Sequence, residues 1–288
     1  MTAVYRKELR SYLTSMIGYV FIAFILVAVG IYFAYQNLNL GSPRFELVLD
    51  NVQFIFLVFV PILTMRVLAD EKKQRTDQLL LTLPLSVWDI VIGKFLALVT
   101  LYAVPVVILC FYPLLLSGFG PVNMPAAYFS ILAFFLLGCA DIAIGVFLSS
   151  VTENAVIAAV MTFGALLLCY IDQNTISAMV PYTAIASFIA FTVLVVLLVL
   201  IVHHMTRDVT VTCIAAVVLE GILCAVYMLK RPLLEGALQK FLSVFYLNGR
   251  LQNFFSGMLD IGGILYYLSV MVIFLLLTEQ TIVKRRWS

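Results

Sequence analysis

Residues 17–35 read IGYVFIAFILVAVGIYFAY, an apolar run without one charged side chain. A helix needs about 20 such residues to cross the hydrocarbon of a bilayer. The apolar core of a signal peptide is shorter, about 7–15 residues, and an A-x-A-like cleavage site follows it. No such site follows here, so the run reads as a retained first span, although Arg6, Lys7 and Arg10 precede it. Seven more runs of this kind lie further along the chain: Val52–Ala69, Ile90–Leu116, Ala126–Ser150, Ala155–Ile171, Thr183–Val202, Val209–Leu229 and Ile261–Val283. They are too long, and too uniformly apolar, for the alternating strands of an outer-membrane barrel. The expected fold is all-α: a polytopic membrane helical bundle of about eight transmembrane helices. The alternative is six spans plus a re-entrant pair formed by Thr183–Val202 and Val209–Leu229. The link between those two holds His203, His204, Arg207 and Asp208, and burying it in lipid is costly, which favours two full spans.

Composition agrees. Apolar residues make up 64% and charged residues 11%, against about 45–50% and 25% in soluble domains, and the mean hydropathy is +1.12. The net charge of +2 is too small to argue for a nucleic-acid partner. The placement of the positive charges says more, because Lys and Arg concentrate in cytoplasmic loops. With the N-terminus inside, the inner segments carry Arg6, Lys7, Arg10, Arg66, Lys72, Lys73, Arg75, Lys94, Arg207, Lys284, Arg285 and Arg286. The outer ones keep only Arg44, Lys230, Arg231, Lys240 and Arg250. Both termini are thus expected in the cytoplasm of a multi-pass protein of the cell membrane. Tyr112, Tyr128, Tyr170, Tyr182, Tyr227, Tyr266 and Tyr267 mark outer ends, and Trp88 and Trp287 the inner side, as interfacial aromatic belts do.

Three segments are not spans. In Thr2–Ser15, Val4, Tyr5, Leu9, Tyr12 and Leu13 gather on one helical face, with Arg6, Lys7 and Arg10 largely elsewhere, which suits an N-terminal interfacial helix on the anionic inner leaflet. In Lys230–Asp260, Leu234, Ala237, Leu238, Phe241, Leu242 and Phe245 recur at helical spacing, predicting a short amphipathic helix on the outer surface. The third, Asp70–Asp89, is the one long polar stretch on the inside. With no repeat and no low-complexity linker, residues 1–288 read as a single membrane domain.

Motifs for covalent or nucleotide chemistry are missing from the sequence. There is no G-x-x-x-x-G-K-[ST]: the one Gly-Lys pair is Gly93-Lys94, with Trp88 where the first glycine would stand. There is no H-E-x-x-H, and the adjacent His203 and His204 point in different directions on a helix, so no metal site is expected. Cys110, Cys139, Cys169, Cys213 and Cys224 all fall inside apolar runs, where cysteine packs as a small hydrophobe. Pro61, Pro105 and Pro113 lie in spans, where prolines are tolerated and kink the helix. Asp141 and Glu220 stand deep in apolar runs. Carboxylates in hydrocarbon are expensive, so each is expected to face the bundle interior or water, either lining a translocation path or hydrogen-bonded as a packing residue.

The inner stretch is the most informative. It opens with Ala69-Asp70-Glu71-Lys72-Lys73-Gln74-Arg75-Thr76, continues through the apolar Leu79-Leu80-Leu81-Thr82-Leu83, breaks at Pro84 and reaches Gly93-Lys94 at the next span. An apolar run in a solvent-facing loop suggests a docking surface. Here the chain resembles the ABC-2 type permease family, in particular its gliding-motility permease-like branch. The family pattern is a Lys-Glu-Leu interfacial helix, then E-x-x-x-G-T-x-x-x-L-L-x-x-P-x-S between spans two and three, then a Gly-Lys. The chain offers Lys7-Glu8-Leu9, Glu71, Thr76, Leu80, Leu81, Pro84, Ser86 and Gly93-Lys94 at matching places. Gly145 with Ser149-Ser150-Val151-Thr152-Glu153-Asn154 is similar to a second family stretch, and Tyr266-Tyr267-Leu268-Ser269 with Lys284-Arg285-Arg286-Trp287 to the branch's C-terminus. Arg75 replaces the usual glycine before Thr76, and Asp141 is acidic where an apolar residue is expected.

The resemblance implies the membrane subunit of an ATP-driven transporter. This chain would hold no cofactor, and a separate ABC ATPase subunit would bind ATP and Mg. A second permease subunit, identical or different, would complete the path, and membrane lipid would surround it. The coupling element would comprise Asp70, Glu71, Lys72, Lys73, Arg75, Thr76, Leu79, Leu80, Leu83 and Pro84, and export of lipids, polysaccharides, drugs or peptides is the usual activity. A proton-coupled secondary transporter using Asp141 and Glu220 is the competing reading. Pairs of broken helices or inverted repeats would favour it, and neither stands out. A membrane scaffold or sensor would need a folded extramembrane domain, and no loop is long enough.

Overall fold

In hydrocarbon every backbone N–H and C=O must be satisfied within its own segment, so long apolar runs become helices. The computed structural model describes residues 1–74, 86–179, 181–206, 209–229 and 231–286, and among these every regular element is helical. Arg75, Thr76, Leu79, Leu80, Leu83 and Pro84, with the link Arg207–Asp208, lie outside the described residues. The described chain forms two units: residues 1–170 with 250–288, and residues 171–249.

The first unit opens with α1 (Thr2–Thr14) and α2 (Met16–Phe33), which runs on through a π-helical turn at Ala34–Asn39. The second span is built in pieces: α3 (Glu46–Val52), a 3₁₀ turn at Gln53–Ile55, α4 (Phe56–Thr64) and α5 (Ala69–Lys73). Then come α6 (Val87–Leu109), α7 (Tyr112–Ser117), α8 (Met124–Val151) and α9 (Ala155–Tyr170). Among the described residues five stretches are long and apolar enough to cross a membrane: Met16–Asn39, Glu46–Lys73, Val87–Ser117, Met124–Val151 and, near the C-terminus, Ile261–Lys284. Each contains one of the predicted runs. The second starts earlier than its apolar run because Glu46, Asp50 and Asn51 open it with polar residues. The remaining three runs coincide with helices whose described apolar parts are shorter, at Ala155–Tyr170, Ala184–Val196 and Ala216–Met228.

α8 is the centre of the first unit. Of its apolar window 72% is buried, against 33% for the first span and 28% for the last. Small residues make this possible: a Cβ at Gly138 would collide with the Tyr102 ring, and one at Gly145 with Thr64. Around them Phe56, Tyr102 and Phe134 interlock at ring separations of 4.8–6.3 Å. The buried Tyr102 hydroxyl donates to the Phe134 carbonyl at 2.8 Å, so no polar atom of that side chain is stranded.

The second unit holds α10 (Gln173–Met179), α11 (Ala184–Thr206), α12 (Val209–Leu229), α13 (Arg231–Leu234) and α14 (Ala237–Val244). α11 and α12 pair along their length, with Phe188 against Tyr227 at 4.9 Å. α14 sets Phe241 edge-on to Phe191 at 5.8 Å. It is entered through Gly236 at φ +69°, a left-handed conformation that glycine adopts without strain. Ala237, Leu238, Phe241 and Leu242 of the predicted spacing lie in it, while Leu234 falls in α13 and Phe245 beyond its end. The first unit resumes with α15 (Leu251–Phe255) and α16 (Ile261–Arg286), which packs along α8. Asp260 caps the entry to α16: a hydrogen bond from Asn253 and the amides of Gly263 and Gly262 hold its carboxyl below the usual carboxylate range.

Candidate functional site

Part of the apolar face of α1 packs on protein. Val4 is buried, and α1 packs along α6. Gly93 permits this approach: a Cβ there would stand 3.3 Å from Val4. Tyr5 reaches the hydroxyl of Thr100 at 3.1 Å, while Leu13, expected on the same face, is exposed. Ser86 caps α6 by accepting from the Asp89 amide at 3.1 Å and donating to the Asp89 carboxylate at 2.9 Å. The next residue after Gly93 is Lys94, only 2% exposed, which an isolated ammonium could not tolerate. It is fully satisfied. Its Nζ donates to Glu71 Oε1 at 2.7 Å, to Glu8 Oε1 at 3.1 Å and to the Val67 carbonyl at 3.0 Å. An ammonium has three protons, and here each has an acceptor.

The Val67 carbonyl is available because the second span unwinds between α4 and α5. A helix end leaves backbone groups without partners, and Ser149 of α8 supplies them. Its hydroxyl accepts from the amides of Leu68 and Ala69, both at 3.2 Å, and donates to the Met65 carbonyl at 3.3 Å. One turn earlier on α8, Gly145 lets Thr64 close in. This anchored break aims α5, which carries Asp70, Glu71, Lys72 and Lys73. Glu71 turns inward to Lys94. Lys72 is buried, Lys73 is exposed, and Asp70 pairs with Arg66 at 3.8 Å on the surface.

The cluster is close to neutral. Lys7 stands 3.8 Å from Glu8 and 3.9 Å from Glu71, so two cations face two carboxylates. Lys7 is well exposed and contributes little; the buried Lys94 bonds are the strong ones. Burial first, and the charges of Glu8, Glu71 and Asp70 after it, push the Tyr12 phenol up, so it stays neutral beside them. Lys94 therefore ties together α1, the start of the connector after the second span, and the third span.

Of the predicted coupling residues, the structure gathers Glu71 into this cluster and sets Asp70, Lys72 and Lys73 around it. Glu8, Lys94 and Ser149, which no site prediction singled out, complete it. Their signal lay in the motif fragments Lys7-Glu8-Leu9, Gly93-Lys94 and Gly145…Ser149, whose convergence only the fold displays. The two intramembrane acids stand elsewhere. Asp141 is wholly buried in α8, and neither carboxyl oxygen has a hydrogen-bond partner among the described residues. Glu220 belongs to the second unit, where it is half-buried and its Oε1 lies 3.0 Å from the Thr192 hydroxyl, across the α11–α12 pair. No group of three or more His, Cys, Asp or Glu able to hold a metal occurs among the described residues.

A family model described as "ABC-2 family transporter protein" matches residues 2–188. That stretch includes every member of the Lys94 cluster and the whole connector. It ends before the C-terminal residues that resemble the gliding-motility branch, and it names the family only. No curated protein and no solved structure matches the chain.

Proposed function

The chain belongs to the ABC-2 transporter family, and we propose that it is the permease subunit of an exporter of the cell membrane, driven by a separate ABC ATPase that docks on Asp70–Asp89. An ATPase in the cytoplasm can act on a path inside the bilayer only through segments that reach it. The observation that carries the reading is Lys94: it fastens Glu71, at the head of the connector, to α1 and to the next span. A push on the connector is thereby delivered to two elements at once. Leu79, Leu80 and Leu83 would seat in an apolar groove of the ATPase, as an amphipathic helix does. Asp70, Lys73 and Arg75 would form a charged rim that sets orientation, with Thr76 beside it and Pro84 ending the segment. ATP and Mg would be bound by the ATPase, and a second permease subunit, identical or different, would complete the path. Both termini would face the cytoplasm. Family membership leaves the proton-coupled alternative through Asp141 and Glu220 with no observation that favours it.

The test is co-purification. The tagged chain should bring an ATPase subunit out of its native membrane and hydrolyse no ATP when freed of it. Leu80→Asp should insert normally but arrive without the ATPase, because a charge in an apolar groove costs several kcal/mol. Hydrolysis by the verified-pure chain, or full retention by Leu80→Asp, would contradict the proposal.

A further inference from the structure

At the opposite end of the first unit's spans a cleft of about 530 Å³ opens between the start of α3, the start of α8 and α15. Among its lining residues are Arg44, Glu46, Asp50, Asn123, Gln252 and Phe255. Glu46 is only 8% exposed, yet among the described residues it makes no ion pair and its carboxylate accepts from no other side chain; its own backbone amide lies close enough to favour its charge. Asp50 lies one turn further along α3 and accepts one bond, from Gln53 Nε2 at 2.8 Å. Arg44 acts on Glu46 electrostatically without pairing to it. An acid in the first turn of a helix is ordinary. That accounts for Glu46 alone, not for a second carboxylate in the next turn or for the cleft that both line.

A second observation is independent of the acids. An adjoining cavity of about 350 Å³ shares the walls Pro43 and Pro121 and is lined by Asn37. Asn37 is 4% exposed. Its amide nitrogen donates to the carbonyls of Ser42 at 2.6 Å and Arg44 at 3.3 Å, which fixes the amide's orientation, and its Oδ1 has no partner among the described residues. A buried acceptor in this condition leaves a place for an outside donor, water or ligand, in that adjoining cavity. Two carboxylates against one guanidinium repel an anion. A bare divalent ion would find only two carboxylates, fewer than hard cations take.

We propose that this cleft binds an organic ammonium group, with Glu46 as its charged anchor. Glu46 and the free oxygen of Asp50 accept the ammonium protons, the Phe255 ring packs on its carbon atoms, and the amides of Asn123 and Gln252 serve a polar substituent. The proposal does not depend on the permease reading. The ammonium could belong to a phospholipid head group or to a free amine, and the experiment separates the two.

The purified full chain, in nanodiscs of phosphatidylglycerol, is titrated calorimetrically with ethanolamine and with its neutral analogue ethylene glycol. Ethanolamine should bind saturably and ethylene glycol should not. Glu46→Gln should weaken binding at least about tenfold, the loss expected for one charge-assisted bond. Arg44→Gln should tighten it severalfold by removing the competing cation, a gain that misfolding cannot produce. Repetition in phosphatidylethanolamine nanodiscs identifies the source: competition with free ethanolamine marks the head group as the ligand, and unchanged binding marks a soluble amine. Equal binding of ethylene glycol, no saturable ethanolamine binding in phosphatidylglycerol, or wild-type affinity in both variants would overturn the site.

Discussion

Lys94 and Asp141 are both sealed off, at 2% and 0% exposed, in opposite condition. Lys94 donates to three acceptors, in α1, in α5 and in the break just before α5; Asp141 has no hydrogen-bond partner among the described residues. Sequence alone would rank them the other way. An acid in the middle of an apolar span is conspicuous, whereas a lysine near the start of one looks like a loop charge at the interface. What separates them is satisfaction. A buried charge with every proton placed is a structural joint whose removal strands its partners, while a buried acid without partners contributes nothing that a neutral isostere would lose.

The comparison breaks first at Lys94. Lys94→Met leaves Glu8 and Glu71 with only the exposed Lys7 beside them, and losing one member of a buried pair costs about 3–5 kcal/mol. A large fall in the melting temperature of the purified chain is expected. The triple variant Glu8→Gln, Lys94→Met, Glu71→Gln should recover most of that stability, since no charge is then stranded. It should still fail to couple, and Glu71→Ala should keep some ATPase while losing regulated hydrolysis. If Lys94→Met melts like wild type, the cluster is not a joint.

Ser149→Ala comes next. It removes the acceptor of two buried amides and the donor to Met65, and leaving buried backbone groups unsatisfied costs about 1–3 kcal/mol. The expected sign is a lower melting temperature. Protease cleavage near α5 should also speed up, because the break that aims the connector is held by that hydroxyl. Unaltered cleavage would separate α5 from Ser149.

The smallest effect belongs to Asp141. Asp141→Asn keeps the shape and removes the group whose ionised form burial penalises, so the melting temperature should be unchanged or slightly higher. A loss comparable to that of Lys94→Met would mean that Asp141 meets a partner in the assembled transporter and that the comparison is drawn wrongly.

The helices were legible because the bilayer enforces them: each of the eight apolar runs became helix, and five are long enough by themselves to span. The break at Met65–Leu68 was not. It holds no glycine or proline, and the group that satisfies it, Ser149, lies on another helix. The Lys94 cluster was half legible. Its residues sat in quoted motif fragments, but Glu8 lies 86 positions from Lys94 and Glu71 lies 23 away, and no local pattern reports such contacts. Glu220 read as a lone acid because Thr192, its partner, stands 28 residues earlier on a different helix. The cleft at the far end of the first unit was invisible for the same reason: Glu46, Asn123 and Gln252 come from three distant segments.

The central claim, that a separate ATPase works on this chain through the Asp70–Asp89 connector, is tested most directly by cross-linking. In a background lacking the five native cysteines, a photoreactive cross-linker is attached either at Leu80→Cys or at Arg44→Cys, and membranes containing the partner are irradiated. The account predicts an adduct between position 80 and a nucleotide-binding subunit, and none from position 44. An adduct from position 44, or none from position 80 although the ATPase co-purifies, would contradict it.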